Sequence, residues 1–582
     1  MTVSSPVPLP LDRRFARPTR RFSPLLVLIG ALILLPLFLI VTIPQPIGPM
    51  FWDQYLYLDA ANRIHDGQIP SVDFFAPVGA LGYYVFALAL KLFPSGSPLL
   101  LSSWSLLFVS APLMALVLID VSRRSVLIAF ALLIPFLFFS LLPFNLGEFY
   151  PFPGSDGFGI YNRQVCQLLY VLAAALLFIE QTRLLIAAVA LGMLALFLTK
   201  VTGAVAGTAL CFMALIAGRL SLRAGVAAAL IVLVTLGLLE IGFGLVSAYL
   251  GNILALVEVN EGSLLPRLLQ AASLNFGAAL AIVLLAAALF VLDRALLAQR
   301  LAILRRKRSL AALTRLLDHP SLWLLAFLAA GLLFESQNTG SQALIFVWPL
   351  LIAILADRME GPSPSSGEAI VAVLALALVL PQVSTLVQKA GRAWIGTVGN
   401  VRLESAHLKT MGAVNLRPFM ALRAERMDRI YVDQRAAYRE IAAAGEHGSF
   451  LLFSDYDFQA GWLRQVDRTV GALKAYEADH GVHFETLFNI DFTNPYPYLM
   501  DRHAPKAVAI GADPFRAVPP VDRAVTAALS AVDVAILPTC PVTTTREALR
   551  ALYEPSLAGT HQRIALTPCS DAFIRNDLVK AR

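Results

Sequence analysis

The chain has 582 residues, of which 58% are hydrophobic and 15% are charged, against about 25% charged in an average soluble domain. A mean hydropathy of +0.70 excludes an ordinary soluble protein and predicts a polytopic α-helical membrane protein. The net charge of +7 does not indicate nucleic-acid binding, because the basic residues cluster in short loops between apolar segments. Four cysteines are too few for a disulfide scaffold.

The chain begins with an arginine-rich segment, 1–23, followed by an apolar run at 24–43. A signal peptide has the same order of features, but its apolar region is only about 7–15 residues long and ends at a small-residue cleavage site. We therefore expect an uncleaved first span with its N-terminus in the cytoplasm.

A loop at 44–97 follows, and its centre, 51–79, reads FWDQYLYLDAANRIHDGQIPSVDFFAPVG. On a helix this stretch has two faces: a polar one with Asp59, Asn62, Arg63 and Asp66, and an apolar one with Tyr57, Ala60, Ala61 and Ile64. Such a short two-faced segment beside a span predicts a helix in the membrane interface. Asp53 lies just before it, where a carboxylate can stay ionised and still face a lipid-borne ligand.

Apolar runs predict about eleven spans by length. They are 24–43, 98–120, 125–142, 163–179, 184–199, 202–218, 224–247, 273–293, 321–335, 341–356 and 369–388. The shorter run 78–93 is interpreted as a second interfacial or re-entrant helix, because only then do the basic loops all fall on the cytoplasmic side. An odd number of spans places the segment 389–582 outside the cytoplasm.

This C-terminal segment alternates strand-like and helix-like runs, which predicts a small extracytoplasmic α/β domain with a parallel sheet and crossovers. The strand-like runs are 450–453, 507–510, 534–537 and 564–566, and the helix-like runs are 459–478, 521–531 and 545–553. Cys540 and Cys569 each follow a strand, so both are expected at one edge of the sheet. Outside the cytoplasm they could form a disulfide, or they could remain two separate thiols.

The residues around Asp53 carry a family resemblance. D-Q-x-x-Y begins at Asp53, a helix is expected at 55–66, and a proline-containing turn follows at 77–79. This order resembles the first outer loop of the GT-C polyprenyl-phosphate-dependent glycosyltransferases, such as protein O-mannosyltransferases and the lipid A aminoarabinose transferase. Members usually have two prolines at that turn, whereas this chain has Ala76-Pro77-Val78-Gly79.

The resemblance implies a GT-C-like transmembrane domain at 24–388 in a bacterial inner membrane. It implies an inverting enzyme that transfers a sugar from a polyprenyl-phosphate donor to an extracytoplasmic lipid, polysaccharide or protein. Asp53 would be its catalytic base. The alternative is a solvated loop acid or a helix N-cap, since Asp is favoured before a helix. Asp73 is a candidate for acceptor binding or for structuring the loop.

Two cations are candidates for the donor phosphate. Lys200, in the sequence T-K-x-x-G, ends a predicted span, and an intramembrane charge costs about 2.5–3.5 kcal/mol on insertion scales. The resemblance places a lysine of this context against the lipid phosphate, and the alternative is a snorkelling anchor. Arg163, at the outer start of its span, is the second candidate, or an interface anchor.

Four polar residues in outer loops complete the candidate site as contacts to sugar or acceptor: Glu148, Asp156, Glu335 and Gln337. Glu148 and Asp156 could instead hold a divalent cation through their carboxylate oxygens, or form an ordinary solvated loop. No basic residue stands near Glu335 and Gln337 in the sequence. No cofactor is certain.

Two other functions remain open at this stage. A transporter or flippase of lipid-linked glycans also needs many spans, but it would typically show internal repeats and charges in mid-span. A non-catalytic envelope assembly protein built around the C-terminal domain would tolerate the loss of Asp53 and Lys200.

Overall fold

The computed structural model describes residues 23–48, 50–76, 78–147, 154–260, 264–337, 340–358, 365–449, 452 and 455–579. Four predicted features therefore lie wholly or partly outside the described residues: the basic N-terminal segment, the proline of the turn at 77–79, Glu148, and most of the strand-like run 450–453.

Helices dominate the first two thirds of the chain. They are α1 Pro24–Leu39, α2 Asp53–His65, α3 Ala80–Leu92, α4 Pro98–Trp104, α5 Leu107–Val121, α6 Val126–Leu141, α7 Ile160–Phe178, α8 Thr182–Thr199, α9 Val201–Ile216, α10 Leu222–Phe243, α11 Leu245–Val259, α12 Leu264–Leu274, α13 Phe276–Leu292, α14 Arg294–Lys307, α15 Leu310–Leu317, α16 Pro320–Glu335, α17 Trp348–Arg358 and α18 Ser366–Ile395.

Every predicted apolar run contains a helix, but length separates these helices into classes. Within the described residues, five continuous segments are long and apolar enough to cross a membrane: Pro98–Val121, Ile160–Phe178, Thr182–Thr199, Leu222–Phe243 and Ser366–Gly399. Two further pairs, α12 with α13 and α15 with α16, pass the same test together but bend by 84° and 69°. Others, such as the 16-residue α1, are shorter than the roughly 20 residues a span needs. The count of eleven spans stays a prediction.

The prediction of a loop between the spans 224–247 and 273–293 is wrong. The structure has two helices there, α11 and α12. Asn252 and Glu258 interrupt the apolar run of α11, and α12 has polar residues on one face, so neither segment has the uniform hydropathy by which spans were recognised. Helix α12 matters below because it carries Arg267.

Helix α7 is the centre of the bundle. Within its apolar window 94% of the residues are buried, whereas the figure for α10 is 6%, as expected for a helix that faces lipid. The polar residues of α7 find partners inside the bundle: Gln167 donates to the Phe139 carbonyl at 3.2 Å, and Tyr170 donates to the Leu132 carbonyl at 2.8 Å. These bonds attach α7 to the neighbouring helix α6 and its C-terminal end. The candidate site lies at the N-terminal end of α7.

The C-terminal part combines helices and short strands. The helices are α19 Pro418–Asp433, α20 Arg435–Ala443, α21 Tyr456–His480, α22 Tyr496–Met500, α23 Arg523–Ser530 and α24 Thr544–Tyr553. The loop 44–97, named the first outer loop after its predicted side of the membrane, contributes strand β1. The strands are β1 Gln45–Pro46, β2 Val401–Arg402, β3 Val414–Leu416, β4 Leu487–Asn489, β5 Val534–Pro538, β6 His561–Thr567 and β7 Ser570–Arg575. Helix α18 continues to Ile395, past the predicted domain boundary at 388.

The prediction of a parallel sheet is wrong in part. The sheet has the order β4-β5-β7-β6, with β4 and β5 parallel and β7 antiparallel to both β5 and β6. The two residues between β6 and β7 are too few for a crossover, so those strands must form a hairpin. The run 507–510 is not a strand of this sheet, since Ala509 forms an isolated bridge with Phe75. Cys540 and Cys569 are joined by a disulfide.

The first outer loop and the C-terminal part pack as one body. Strand β1 pairs with β3, and α2 lies between the bundle and the C-terminal segment. Asn62 donates to the Arg502 carbonyl at 2.9 Å, and Arg63 donates to the Pro505 carbonyl at 2.6 Å. The polar face of α2 therefore contacts the C-terminal part instead of water. The position of this helix in the membrane interface stays a prediction.

Candidate active site

Asp53 is the first residue of α2, and its side chain points away from the helix. Trp52 occupies the N-cap position, without a side-chain capping bond. One carboxylate oxygen of Asp53 accepts a hydrogen bond from the Gly159 N–H at 2.7 Å, and the Asp53 N–H donates to the Gly157 carbonyl at 3.0 Å. The alternative that Asp53 is a helix N-cap is therefore wrong.

A glycine is required at position 159, where the backbone N–H donates to the Asp53 carboxylate. Its φ is +66°, and a Cβ at this position would lie 2.3 Å from the Gly340 carbonyl oxygen. A side chain is excluded both by the left-handed backbone and by this close approach. The N-terminal end of α7 thus carries an N–H group held in place for the carboxylate.

The environment of Asp53 raises its pKa. Burial raises the pKa from 3.8 to about 6, against the lowering effects of the Gly159 N–H, Arg163 and Lys200. A carboxylate with this pKa is ionised at neutral pH and is a stronger base than an ordinary aspartate. Such a value suits a general base.

Lys200 lies at the break between α8 and α9, in extended backbone with φ −163° and ψ 129°. Its ammonium group donates to the Asn162 side-chain oxygen at 3.0 Å and to the Gln337 carbonyl at 3.4 Å. It lies 4.8 Å from the ring centre of Tyr161. These contacts direct the charge toward α7 and the end of α16, not outward as a snorkelling anchor would be.

The helix break is also attached to the first outer loop. The Gly79 N–H donates to the Thr199 carbonyl at 3.0 Å, and a Cβ on Gly79 would lie 2.2 Å from the Leu198 carbonyl oxygen. The glycine of the predicted turn at 77–79 therefore lets the loop touch the backbone just before Lys200. Asp53 and Lys200 belong to segments that are fixed to one another.

Arg163 is buried, with 2% of its surface exposed, and its donors are used inside the protein. It donates to the Asn145 side-chain oxygen at 2.9 Å, to the Phe158 carbonyl at 2.9 Å and to the Asp156 carbonyl at 3.2 Å. Its guanidinium group therefore stabilises the loop that precedes α7.

Asp156 stabilises the same loop. Its carboxylate accepts from the Asn145 N–H at 2.7 Å and lies 3.5 Å from the Lys389 ammonium group. In the part of the chain that the structure covers, no group of three or more His, Cys, Asp or Glu side chains could hold a metal ion. Glu148, its suggested partner for a cation, lies outside the described residues.

A further cation, which the sequence did not indicate, lies at the end of α16: it is Arg267. Glu335 accepts from the Ser341 hydroxyl at 2.7 Å. The Gln337 side-chain oxygen accepts from Arg267 at 3.3 Å, while the Gln337 carbonyl accepts from Lys200. Arg267 comes from α12, 70 residues earlier. Its one sequence signal is that it is a lone cation in the apolar stretch SLLPRLLQ.

Asp73 has structural contacts. One carboxylate oxygen accepts from the Ile69 N–H at 2.8 Å, and the other lies 3.0 Å from the Lys506 ammonium group. The two contacts close the turn of the outer loop and attach it to the C-terminal part. Of its two predicted roles, these contacts favour structuring the loop.

The C-terminal part reaches the residues beside Asp53. The Gln459 side-chain oxygen, on α21, accepts from the buried Phe51 N–H at 2.8 Å. The Trp462 ring lies 4.7 Å from the ring of Trp52 and stacks on Tyr55 at 5.1 Å. Helix α21 thus contacts both sides of the position that carries the carboxylate.

Comparison with solved structures finds ArnT from Cupriavidus metallidurans in the apo state, with a TM-score of 0.40 and 12% identity, covering 96% of this chain and 99% of that chain. The same protein bound to undecaprenyl phosphate matches with a TM-score of 0.40, 14% identity and the same coverage. No family model matches the chain, and no curated protein matches its sequence.

Proposed function

We propose that the chain is an integral-membrane glycosyltransferase that moves a sugar from a polyprenyl-phosphate donor to an acceptor on the side of the C-terminal part. One observation carries the proposal: the Asp53 carboxylate, with a pKa of about 6, lies under the influence of Lys200 at the end of apolar helices. The likeness of the loop around Asp53 to the first outer loop of GT-C enzymes points to the same chemistry.

Asp53 acts as the general base in this mechanism. It takes the proton from the acceptor hydroxyl or amine as that group attacks the anomeric carbon of the donor sugar. A new bond forms from the acceptor to the sugar, the bond from the sugar to the phosphate oxygen breaks, and the phosphate leaves with the bonding electron pair. A single displacement inverts the configuration at the anomeric carbon.

Lys200 and Arg267 stabilise the leaving phosphate. Lys200 donates to the backbone carbonyl of Gln337, and Arg267 donates to the side-chain oxygen of the same residue. The two positive charges are therefore held near one another. Preorganised cations are most effective where a developing negative charge is shielded from water. We assign Glu335 and Gln337 to contacts with sugar hydroxyls. We assign Arg163 and Asp156 to positioning the loop that precedes α7.

The test is the Asp53→Asn variant. Asparagine keeps an acceptor for the Gly159 N–H but cannot take a proton, so the rate of transfer should fall by about 100-fold to 10,000-fold. Purified protein in lipid would be given polyprenyl phosphates carrying hexoses, pentoses or aminopentoses, together with cell-envelope acceptors, and the free carrier phosphate released would be measured. Asp66→Asn, the same change in the same loop, is the matched control and should stay active.

The stability of Asp53→Asn separates a catalytic role from a structural one. The folded-state pKa lies above the ordinary value, so the ionised carboxylate destabilises the fold as pH rises from 3.8 through about 6. The neutral amide avoids this penalty, and the variant should be more stable at pH 7, by at most about 3 kcal/mol. Thermal unfolding in detergent measures this. A fully active variant, or one that is inactive because it unfolds at lower temperature, would contradict the proposal.

The two other classes of function give different results in the same assay. A transporter of lipid-linked glycans would move its substrate without releasing carrier phosphate. An assembly protein would bind no donor, and its function would survive Asp53→Asn. Release by the unmodified protein alone supports the transferase.

A further inference from the structure

A basic helical hairpin connects α13 with α16. It consists of α14, Arg294–Lys307, and α15, Leu310–Leu317. The segment 294–317 contains seven basic residues and no acid: Arg294, Arg300, Arg305, Arg306, Lys307, Arg308 and Arg315. The proposed transfer reaction uses none of them, so this charged surface has no role in the chemistry at Asp53.

The basic hairpin lies on the opposite side of the helical bundle from the candidate site. Helix α16 begins at Pro320, shortly after the hairpin, and ends at Glu335 beside the site. Its 16 residues separate the two by about 24 Å along the helix axis. The hairpin is attached at one end to α13 and at the other to α16, and both helices are apolar. It is therefore held next to the membrane surface.

Helix α15 is oriented along the membrane surface. The axis bends by 69° between α15 and α16, so when α16 crosses the membrane, α15 lies closer to the membrane plane than to its normal. Arg300 on α14 donates to the Arg315 carbonyl on α15 at 2.7 Å, which joins the two helices. The hairpin therefore has one side next to the lipid.

Apolar side chains of the basic hairpin are exposed. No residue of α14 is buried, although the helix contains Leu296, Leu301 and Ile303. On α15, Leu310 is 78% exposed. Exposed leucines among arginines are typical of helices in the membrane interface, where the apolar groups enter the lipid and the long basic side chains reach the headgroups.

The positive charges at the end of α14 are not neutralised by acidic side chains of the protein. Within the described residues, four consecutive basic residues form no ion pair: Arg305, Arg306, Lys307 and Arg308. Arginines elsewhere on this side of the bundle have acidic partners: Arg124 with Asp120, Arg219 with Asp318, and Arg358 with Asp293. The hairpin is therefore complementary in charge to an anionic surface.

We propose that the basic hairpin binds anionic membrane lipids on the face opposite the candidate site. The four basic residues at 305–308 contact lipid phosphates, and Leu310 enters the lipid. A soluble acidic protein or a nucleic acid would match the charge, but it would leave the exposed leucines beside the membrane without a role. This lipid binding is independent of the reaction at Asp53.

The first test measures which lipids surround the hairpin. Leu310→Trp in the full chain places a fluorophore there, and its added fluorescence would be measured in vesicles of phosphatidylcholine and phosphatidylglycerol in equal parts. Bromine would be carried by the acyl chains of one lipid at a time. Brominated phosphatidylglycerol should quench the added signal more strongly than brominated phosphatidylcholine. Leu376→Trp, at an exposed position of α18, is the matched control and should be quenched equally by both.

The second test removes the charges in the Leu310→Trp background. One variant changes Arg305, Arg306, Lys307 and Arg308 to glutamine, which is compatible with a helix. The control variant changes three arginines and one lysine at exposed positions of the C-terminal part to glutamine: Arg426, Arg429, Arg439 and Lys474. One basic residue near an anionic surface strengthens binding about fivefold, so the excess of phosphatidylglycerol at the hairpin should fall at least fivefold in the first variant. The control variant should keep it.

Three results would overturn the proposal. Equal quenching of Leu310→Trp by the two brominated lipids would show that the hairpin does not select anionic lipid. Fluorescence that neither lipid quenches would place the hairpin in water, as expected for a surface that binds a soluble acidic partner. A preference for phosphatidylglycerol that survives the loss of all four charges would remove residues 305–308 from the lipid contact.

Discussion

The Asp53 carboxylate should give the reaction a characteristic dependence on pH. It is a base only when ionised, and burial raises its pKa to about 6. For the proposed transferase, kcat/KM should therefore fall about tenfold per pH unit below pH 6 and level off above it. A pH–rate profile of the unmodified protein measures this. An acidic limb near pH 4, the ordinary range of aspartate, would show that another group or an exposed Asp53 controls the rate.

Lys200 should stabilise the phosphate of the donor as it leaves. We expect Lys200→Met to lower kcat/KM for the donor by about 100-fold, because removing one preorganised charge from a shielded site has an effect of that size. Lys200→Arg keeps the charge and should retain more activity. Arg267→Gln should have a smaller effect in the same direction, because Lys200 remains in place.

Lys91→Met is the matched control for these substitutions. Lys91 lies in the last turn of α3 and is exposed, so its replacement removes the same charge without touching the site. Steady-state kinetics against the donor would be compared in all four variants. Equal activity in Lys200→Met and Lys91→Met would remove Lys200 from the donor site.

At the scale of elements, α21 should act on catalysis through the backbone beside Asp53. Gln459→Ala leaves the buried Phe51 N–H without the acceptor that it has at 2.8 Å, a loss of about 1–3 kcal/mol. We expect kcat to fall and the acidic limb of the pH profile to move, because the position of Asp53 depends on this bond. Gln459→Glu retains an acceptor and should restore part of the activity.

Gln465→Ala provides the comparison that isolates this effect. Gln465 lies on the same helix, is buried, and donates to Asp428 at 3.0 Å, away from Asp53. Its replacement should lower stability without moving the pH profile. If both variants lower kcat equally and leave the profile unchanged, α21 merely stabilises the fold.

The same elements show why the sequence predicted some features and not others. Helices such as α8 and α18 follow from long uncharged runs, a local property of the chain. Strand β7 and the antiparallel hairpin were missed because a short strand beside a turn has no distinctive pattern. The approach of Arg267 to Gln337 could not be predicted, because it depends on how a bent pair of helices folds back over 70 residues.

The candidate site residues likewise include some whose environment the sequence could indicate and others for which it could not. Asp53 and Lys200 were predicted because each stands out chemically against apolar neighbours. Their contacts bring them into one region, while their roles in the reaction stay a prediction. Arg163 and Asp156 stand out equally, yet both are used to brace a loop. Residue type and spacing alone do not distinguish a charge that faces a ligand from one that satisfies buried carbonyl groups. Only the packed structure makes that distinction.

For the whole molecule, the outer loop and the C-terminal part cannot act separately. Strand β1 pairs with β3 across 369 residues at Gln45 and Val414, and Asn62 and Arg63 bind carbonyls near residue 505. The loop that carries Asp53 therefore takes its shape from the C-terminal part. Both must lie on the same side of the membrane, and the disulfide provides a way to determine which side.

The disulfide between Cys540 and Cys569 should form in living cells only if the C-terminal part lies outside the reducing cytoplasm. In a Cys166→Ser, Cys211→Ser background these two are the remaining cysteines. Intact bacterial cells would be treated with a membrane-impermeant maleimide before and after a mild reductant. We expect labelling only after reduction and without lysis, because both sulfurs are bonded and lie on the outer face. Labelling that requires lysis but no reductant would place the C-terminal part, and Asp53 with it, in the cytoplasm.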